Sequence, residues 1–146
     1  MARIIAVCIS KEKGTAKKEI PEGILIENFG LKEDAHGGPW HRQVSLLASE
    51  SIEKIRNKGI DLPSGVFGEN IVTEGIELIS LPVGTKLKLG NTAICEVTQI
   101  GKECHSPCII YHTVGDCIMP REGIFVRILS GGTIKHGDNI EIVKNI

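Results

Sequence analysis

From residue 59 onward, glycine punctuates the chain too often for a long helix to form. Glycines stand at 59, 65, 68, 75, 84, 90 and 101, and the short runs between them alternate or are β-branched. Glycine inside a helix costs about 1 kcal/mol against alanine. Short β-branched runs closed by glycine turns are instead the pattern of an all-β barrel or sandwich. Within VGTKLKLG, Thr85, Leu87 and Leu89 point one way and Lys86 and Lys88 the other. HGDNIEIV repeats that shape near the C-terminus, with Ile140 and Ile142 expected inward and Asn139 and Glu141 outward.

The N-terminal part adds strands, a loop and one helix. RIIAVCIS, residues 3–10, is a continuous buried-strand run, and GILIENFGL a second strand after the charged connection KEKGTAKKEI. EDAHGGPWHRQ breaks regular structure with two glycines and a proline. It carries Asp34, His36, His41 and Arg42 around Gly37 and Gly38, whose backbones can approach an anion closely. The same segment could equally be a surface turn with solvated charges. VSLLA follows as a short strand, and SESIEKIRNK, residues 49–58, is the convincing helix. Ser49 suits its start, Glu50 and Glu53 its first turn, Glu50 stands i,i+4 from Lys54, and Ile52 with Ile55 forms one apolar stripe.

The 146 residues suit one domain, 1–146. Only 3% are aromatic, so the core must be aliphatic and a base-stacking surface is absent. A net charge of −1 lacks the electrostatic footprint of a nucleic-acid binder. No apolar run reaches membrane-spanning length, and the first segment reads as a strand rather than a signal peptide. A cytoplasmic protein with neither nucleic-acid nor membrane partner is therefore expected. Its five cysteines, an odd number in a reducing compartment, fit thiol or metal chemistry better than a disulfide framework. Cys8 and Cys95 fall on apolar strand faces and are expected in the core.

The remaining three, Cys104, Cys108 and Cys117, lie in GKECHSPCIIYHTVGDCIMPR, residues 101–121. Pro107 keeps Cys108 out of a helix interior, so the stretch reads as a loop leaving a strand. Lys102, His105, His112, Arg121 and Arg127 stand nearby in sequence, and cations lower a thiol pKa toward the reactive thiolate. A sulfur-carrying or nucleophilic cysteine is one reading. A zinc site is another, although the spacing matches no paired C-x2-C pattern. Simple packing is the third.

Taken in order, DAHGGPWHRQVSLL, GVFGENI, LPVGTKLKLG, the SPC of 106–108 and REGIFVRILSGGTIKHGD resemble the MOSC domain, the C-terminal domain of molybdenum-cofactor sulfurases, in its stand-alone bacterial form. The resemblance implies a mainly β protein, a closed barrel with a few short peripheral helices. It implies a link to molybdenum cofactor, a molybdenum–pterin dithiolate bearing a phosphate, and it makes Cys108 the characteristic cysteine. In some members that residue receives sulfur from a PLP-dependent cysteine desulfurase; in others it ligates molybdenum. Cys104 and Cys117 would assist as resolving thiols. Lys102, Arg121, Arg127 and the His36, Gly37, Gly38 loop would hold the cofactor. The chain has no room for a desulfurase domain and lacks the N-terminal barrel half of larger members. A carrier or cofactor-binding module is thus expected, working with a partner desulfurase and with cofactor-biosynthesis or acceptor proteins, and conceivably as a homo-oligomer. The alternatives are a small reductase of N-hydroxylated compounds and a non-catalytic zinc-stabilised barrel.

Overall fold

In a computed structural model, residues 2–12, 17–35, 37–56, 69–100 and 123–143 are described. They form β1 (Arg3–Ile9), β2 (Lys18–Ile20), β3 (Glu22–Ile26), β4 (Gly30–Leu31), β5 (Val44–Ala48), α1 (Ser49–Arg56) and β6 (Ile71–Glu74). A 3-10 turn (Leu78–Ser80) then precedes β7 (Lys86–Leu89), β8 (Ala93–Ile100), β9 (Ile124–Ser130), β10 (Gly132–Lys135) and β11 (Ile140–Val143). Eight strands make one sheet in the order β11-β7-β8-β9-β5-β6-β1-β2, and three make a second in the order β10-β3-β4. The mainly β expectation therefore holds.

The closed barrel does not. Among the described residues the large sheet is an open ribbon with β11 and β2 at its edges. Its ends meet at one corner only. There Ile4 N–H donates to Asp138 O at 2.8 Å and Ile140 N–H to Ala2 O at 3.0 Å, around a single bridge between Arg3 and Asn139. One bridge is not a ladder. β1 pairs with β6 along one edge and, from Val7 to Ile9, with β2 along the other, so only its first residues can reach Asn139.

The core between and beneath the sheets is aliphatic, as the shortage of aromatics requires. Ile4, Leu25, Leu31, Leu46, Leu87 and Ile124 are all fully buried. In β7 the expected alternation is present, with Leu87 and Leu89 buried and the intervening lysines only partly covered. In β11 it fails. Ile140 is buried, but Ile142 is 48% exposed: β11 is an edge strand whose ladder, among the described residues, is with β7.

GILIENFGL is not one strand but a hairpin. β3 and β4 pair through Leu25 opposite Leu31, with a turn at Glu27–Phe29. Asn28 makes the turn at φ 53°, a left-handed conformation that Asn tolerates better than most side chains. Its N–H donates to Ile128 O at 2.9 Å, and its Oδ1 accepts from the buried Gln43 amide at 3.1 Å. The other end of that amide accepts Ile128 N–H at 2.8 Å, so one glutamine ties the hairpin to β9. Gly30 is required here: its φ is 119°, and a Cβ would lie 2.6 Å from Gln43 O.

β5 and β6 are parallel, with Leu46 opposite Ile71, and parallel neighbours need a crossover. Helix α1 supplies part of it and buries Ile52 against the sheet. The sequence placed the helix over residues 49–58; its described part ends at Arg56, and the side chains of Lys54 and Ile55 lie outside the described residues. Glu50 fastens the helix start to the end of β6 by accepting Gly75 N–H at 3.0 Å. Burial opposes its ionisation, but that hydrogen bond, with those from its own backbone N–H and Ser49, holds its carboxyl below the usual range. No described helix is long and apolar enough to cross a membrane.

Candidate functional site

The segment that the sequence marked as irregular, residues 34–42, folds in two parts. Its beginning belongs to the interior. Asp34 is buried, and its Oδ1 accepts from Lys17 Nζ at 2.7 Å and from Ser10 N–H at 3.0 Å. The solvated-turn reading therefore fails for Asp34, whose carboxylate is one half of an ion pair with no side-chain exposure on either partner. Gly37 is needed for packing, since a Cβ there would lie 2.4 Å from the Phe29 ring. The N–H groups of Gly37 and Gly38 donate to Asp34 O at 3.1 Å, within the loop, and to Phe29 O at 2.8 Å, in the hairpin turn.

The second part crosses onto β8 and β9. Thr98 Oγ1 donates to His41 O and lies 3.1 Å from Phe125 O. Gln99 Oε1 sits 3.0 Å from His41 Nε2 and 3.0 Å from Arg42 Nε. An amide oxygen only accepts, so the His41 proton belongs on Nε2. The Arg42 guanidinium also lies 5.3 Å from the centre of the Phe125 ring, a cation–π contact. A register shift between Val97 and Gln99 lies in this same stretch of β8, and such bulges re-aim side chains at sheet rims.

This arrangement matters because β8 and β9 end here, at the pair Ile100 and Ile124. The connection between them is the cysteine stretch. The GGPWHR loop is therefore pinned by His41, Arg42, Gln99 and Phe125 at the two roots of the segment that carries Cys108. Beside the pins lies a cleft of about 430 Å³ lined by, among others, Asn28, Trp40, His41, Glu96, Thr98 and Arg127. Trp40 is 39% exposed and meets the His41 ring edge-on, with centroids 5.8 Å apart. Arg127 Nε donates to Glu96 Oε1 at 2.8 Å.

Of the residues singled out in the sequence, Gly37, Gly38 and Arg127 are described and share this end of the sheet. His36, Lys102, Cys104, Cys108, Cys117 and Arg121 lie outside the described residues. Glu96, Thr98 and Gln99 were missed. A signal existed: TAICEVTQI leaves its alternation at Thr98–Gln99, where two polar residues precede the cysteine stretch. Arg127 consequently has a carboxylate neighbour that no local pattern assigned to it.

Cys8 and Cys95 are both fully buried. Burial, with Glu69 and Glu19 adding to it, pushes the Cys8 thiol up to about 12; burial alone pushes Cys95 to about 12, against a weaker opposing hydrogen bond from the Leu87 backbone. Neither forms a useful thiolate near neutral pH. In a Cys104→Ser/Cys108→Ser/Cys117→Ser variant, native protein should therefore release almost no chromophore from an aromatic disulfide reagent at pH 8. Denatured protein should release two equivalents, one for each buried cysteine. Fast native labelling of that variant would contradict the core assignment. Among the described residues no group of three or more His, Cys, Asp or Glu could hold a metal ion.

A two-sheet, mainly β fold with a glycine-rich loop held at the roots of a cysteine-bearing connection defines the class. The model of the MOSC domain matches residues 32–141, and the chain belongs to that family. The fold is shared with solved structures. YuaD from Bacillus subtilis superposes with a TM-score of 0.79 at 19% identity, over 97% of this chain and 96% of that one. YiiM from Geobacillus stearothermophilus gives a TM-score of 0.72 at 19% identity, over 99% and 76%. YiiM from Escherichia coli gives 0.67 at 17%, over 99% and 71%. No curated protein matches.

The MOSC family is associated with molybdenum-cofactor binding and sulfurase-type functions. The described residues suit such a group in part. His41 and Arg127 bring cationic and hydrogen-bonding groups to one cleft, beside a half-exposed indole that offers apolar surface to a flat ring. The Gly37 and Gly38 amides, already donating to Asp34 O and Phe29 O, do not form an open anion cradle. A phosphate would have to be met by side chains.

Proposed function

We propose that this chain binds molybdenum cofactor or its precursor and that Cys108 is its working sulfur, either carrying persulfide or ligating the metal. The observation that supports this most is the pinning of the GGPWHR loop, through Gln99 and Phe125, to both roots of the cysteine stretch. That linkage ties one wall of the cleft to the two strand ends from which the cysteine stretch departs. Family membership supplies the class of ligand. When bound, the cofactor supplies a molybdenum centre that accepts soft sulfur ligands.

In the carrier form, the Cys108 thiolate attacks the outer sulfur of a persulfide on a PLP-dependent cysteine desulfurase. The new S–S bond leaves the sulfane sulfur on Cys108, and the desulfurase cysteine departs as thiolate. Cys104 or Cys117 would discharge the sulfane sulfur as sulfide by attacking the inner sulfur of Cys108, which leaves a disulfide to Cys108 that an external thiol reductant must reopen to restore the thiol. Lys102 and Arg121, from the stretch itself, are the cations assigned to the cofactor phosphate, with His36 from the loop. Cofactor-biosynthesis or acceptor proteins would take the product, in a cytoplasmic setting.

The test compares wild type with Cys108→Ser for retention of added cofactor and for sulfur accepted from a desulfurase. Loss of both in the variant is expected. Equal retention and equal transfer would remove Cys108 from its role. Turnover of N-hydroxylated compounds by cofactor-loaded protein would move the chain to the reductases instead. Stoichiometric zinc without molybdenum in the purified protein would favour a zinc-stabilised module.

A further inference from the structure

Arg127 is a poor partner for a phosphate because a carboxylate already stands beside it. Its Nε is committed to Glu96 Oε1 at 2.8 Å, so an approaching dianion would also meet a carboxylate. The pair nevertheless lines a cleft, and the side chains are 50% and 21% exposed. The contact runs from one nitrogen to one oxygen. Among the described residues, the two Nη groups of Arg127 and the second oxygen of Glu96 have no other partner. One wall of the cleft thus offers donors beside an acceptor, with almost no net charge. Trp40 lines the same cleft with an exposed indole.

That combination suits a flat, neutral, hydrogen-bonding ring rather than an anion. We propose that Arg127 and Glu96 read the 2-amino-4-oxopyrimidine edge of a fused heterocycle, the edge that pterins and guanine share, with Trp40 packing against the ring. The ring carbonyl accepts from an Arg127 Nη. The ring N–H and the exocyclic amino group donate to the Glu96 carboxylate. A ring carrying a second carbonyl in place of the amino group would instead press its lone pairs against that carboxylate. Discrimination of this kind comes as much from the repulsion as from the bond. The inference deepens the cofactor reading above and rests on it for choosing the pterin over the guanine ring. It also separates two ends of the ligand, the ring at Arg127–Glu96 and the phosphate at other cations.

The experiment titrates the metal-free full chain with pterin, with its dioxo analogue lumazine, with guanosine and with xanthosine, following heat and the fluorescence of Trp40, the chain's only tryptophan. Pterin should bind about tenfold or more tightly than lumazine, the loss expected when a donor is replaced by an acceptor opposite a carboxylate. Glu96→Gln, an isosteric change near the surface, should collapse that ratio toward one while circular dichroism stays unchanged. Guanosine binding with the same preference over xanthosine, but no pterin binding, would keep the edge reading and reassign its source. Equal binding of amino and dioxo rings, a ratio that survives Glu96→Gln, or no binding of any of the four would overturn it. These probes carry neither metal nor sulfur, so the result stands or falls separately from the Cys108 test.

Discussion

Asp34→Ala should unfold this protein at a markedly lower urea concentration, with a loss of about 3–5 kcal/mol, the range for removing one partner of a buried ion pair. The Lys17 ammonium would then be left in an interior where neither side chain of the pair had any exposure. Ser10 N–H would lose its 3.0 Å acceptor as well. Asp34→Asn separates the two contributions, because its amide oxygen can still accept from Ser10 but carries no charge. It should remain strongly destabilised. Adding Lys17→Met to Asp34→Asn should restore much of the loss, since burying a methionine in place of a cation that has lost this carboxylate removes a desolvation cost. For a chain of this size the single variant should melt roughly 10 °C lower or more. A change below about 1 kcal/mol, the value typical of an exposed pair, would mean that water reaches this site.

Asn70→Ala is the second large effect, and it acts at the junction of three strands. Asn70 Oδ1 accepts Ser45 N–H at 3.0 Å and lies 3.2 Å from Ser45 Oγ, while its Nδ2 donates to Cys8 O at 3.0 Å. The backbone repeats the stitch: Cys8 N–H donates to Asn70 O and Asn70 N–H to Ser45 O. Alanine would leave a buried N–H and a buried carbonyl without these partners, at about 1–3 kcal/mol for each orphaned group. A total near 3 kcal/mol is expected, read from the denaturation midpoint at unchanged slope. Asn70→Asp should fare no better, because a carboxylate can accept from Ser45 but cannot donate to Cys8 O, and it buries a charge. Wild-type stability in either variant would contradict the stitch. Asn70 lies in the GEN stretch that helped mark the family resemblance, and its work in this chain is structural.

Both cases show what kind of information a local pattern carries. Asp34 stood among glycines, histidines and an arginine, and by composition it belonged to a polar loop with a candidate anion site. Its partner Lys17 lay in what read as a charged connection. Nothing at a separation of 17 residues marks two charges as a buried pair. The same holds for His41 and Arg42 with Gln99, and for Arg127 with Glu96: each was visible as a polar residue, and none announced its mate. Gly37 illustrates a further limit. Its presence was legible as a need for close approach, but the thing approached is the Phe29 ring rather than a ligand.

The sequence by itself determined the mainly β character, through glycine spacing and β-branched runs, and the aliphatic core, through the shortage of aromatics. It also determined the position of the helix and the burial of Cys8 and Cys95. These properties follow from periodicity and local composition, and they survive without knowledge of what lies across the sheet. Only the tertiary structure decided that the large sheet stays open, that Ile142 faces outward at an edge, that Asp34 goes inside, and that Arg127 comes with a carboxylate. It also brought the GGPWHR loop to the roots of the cysteine stretch. Those outcomes depend on strand order and register, which bring together residues such as 41 and 99, or 96 and 127, that are remote along the chain. Alternation says which face a side chain takes; only the neighbouring strand says whom it meets there.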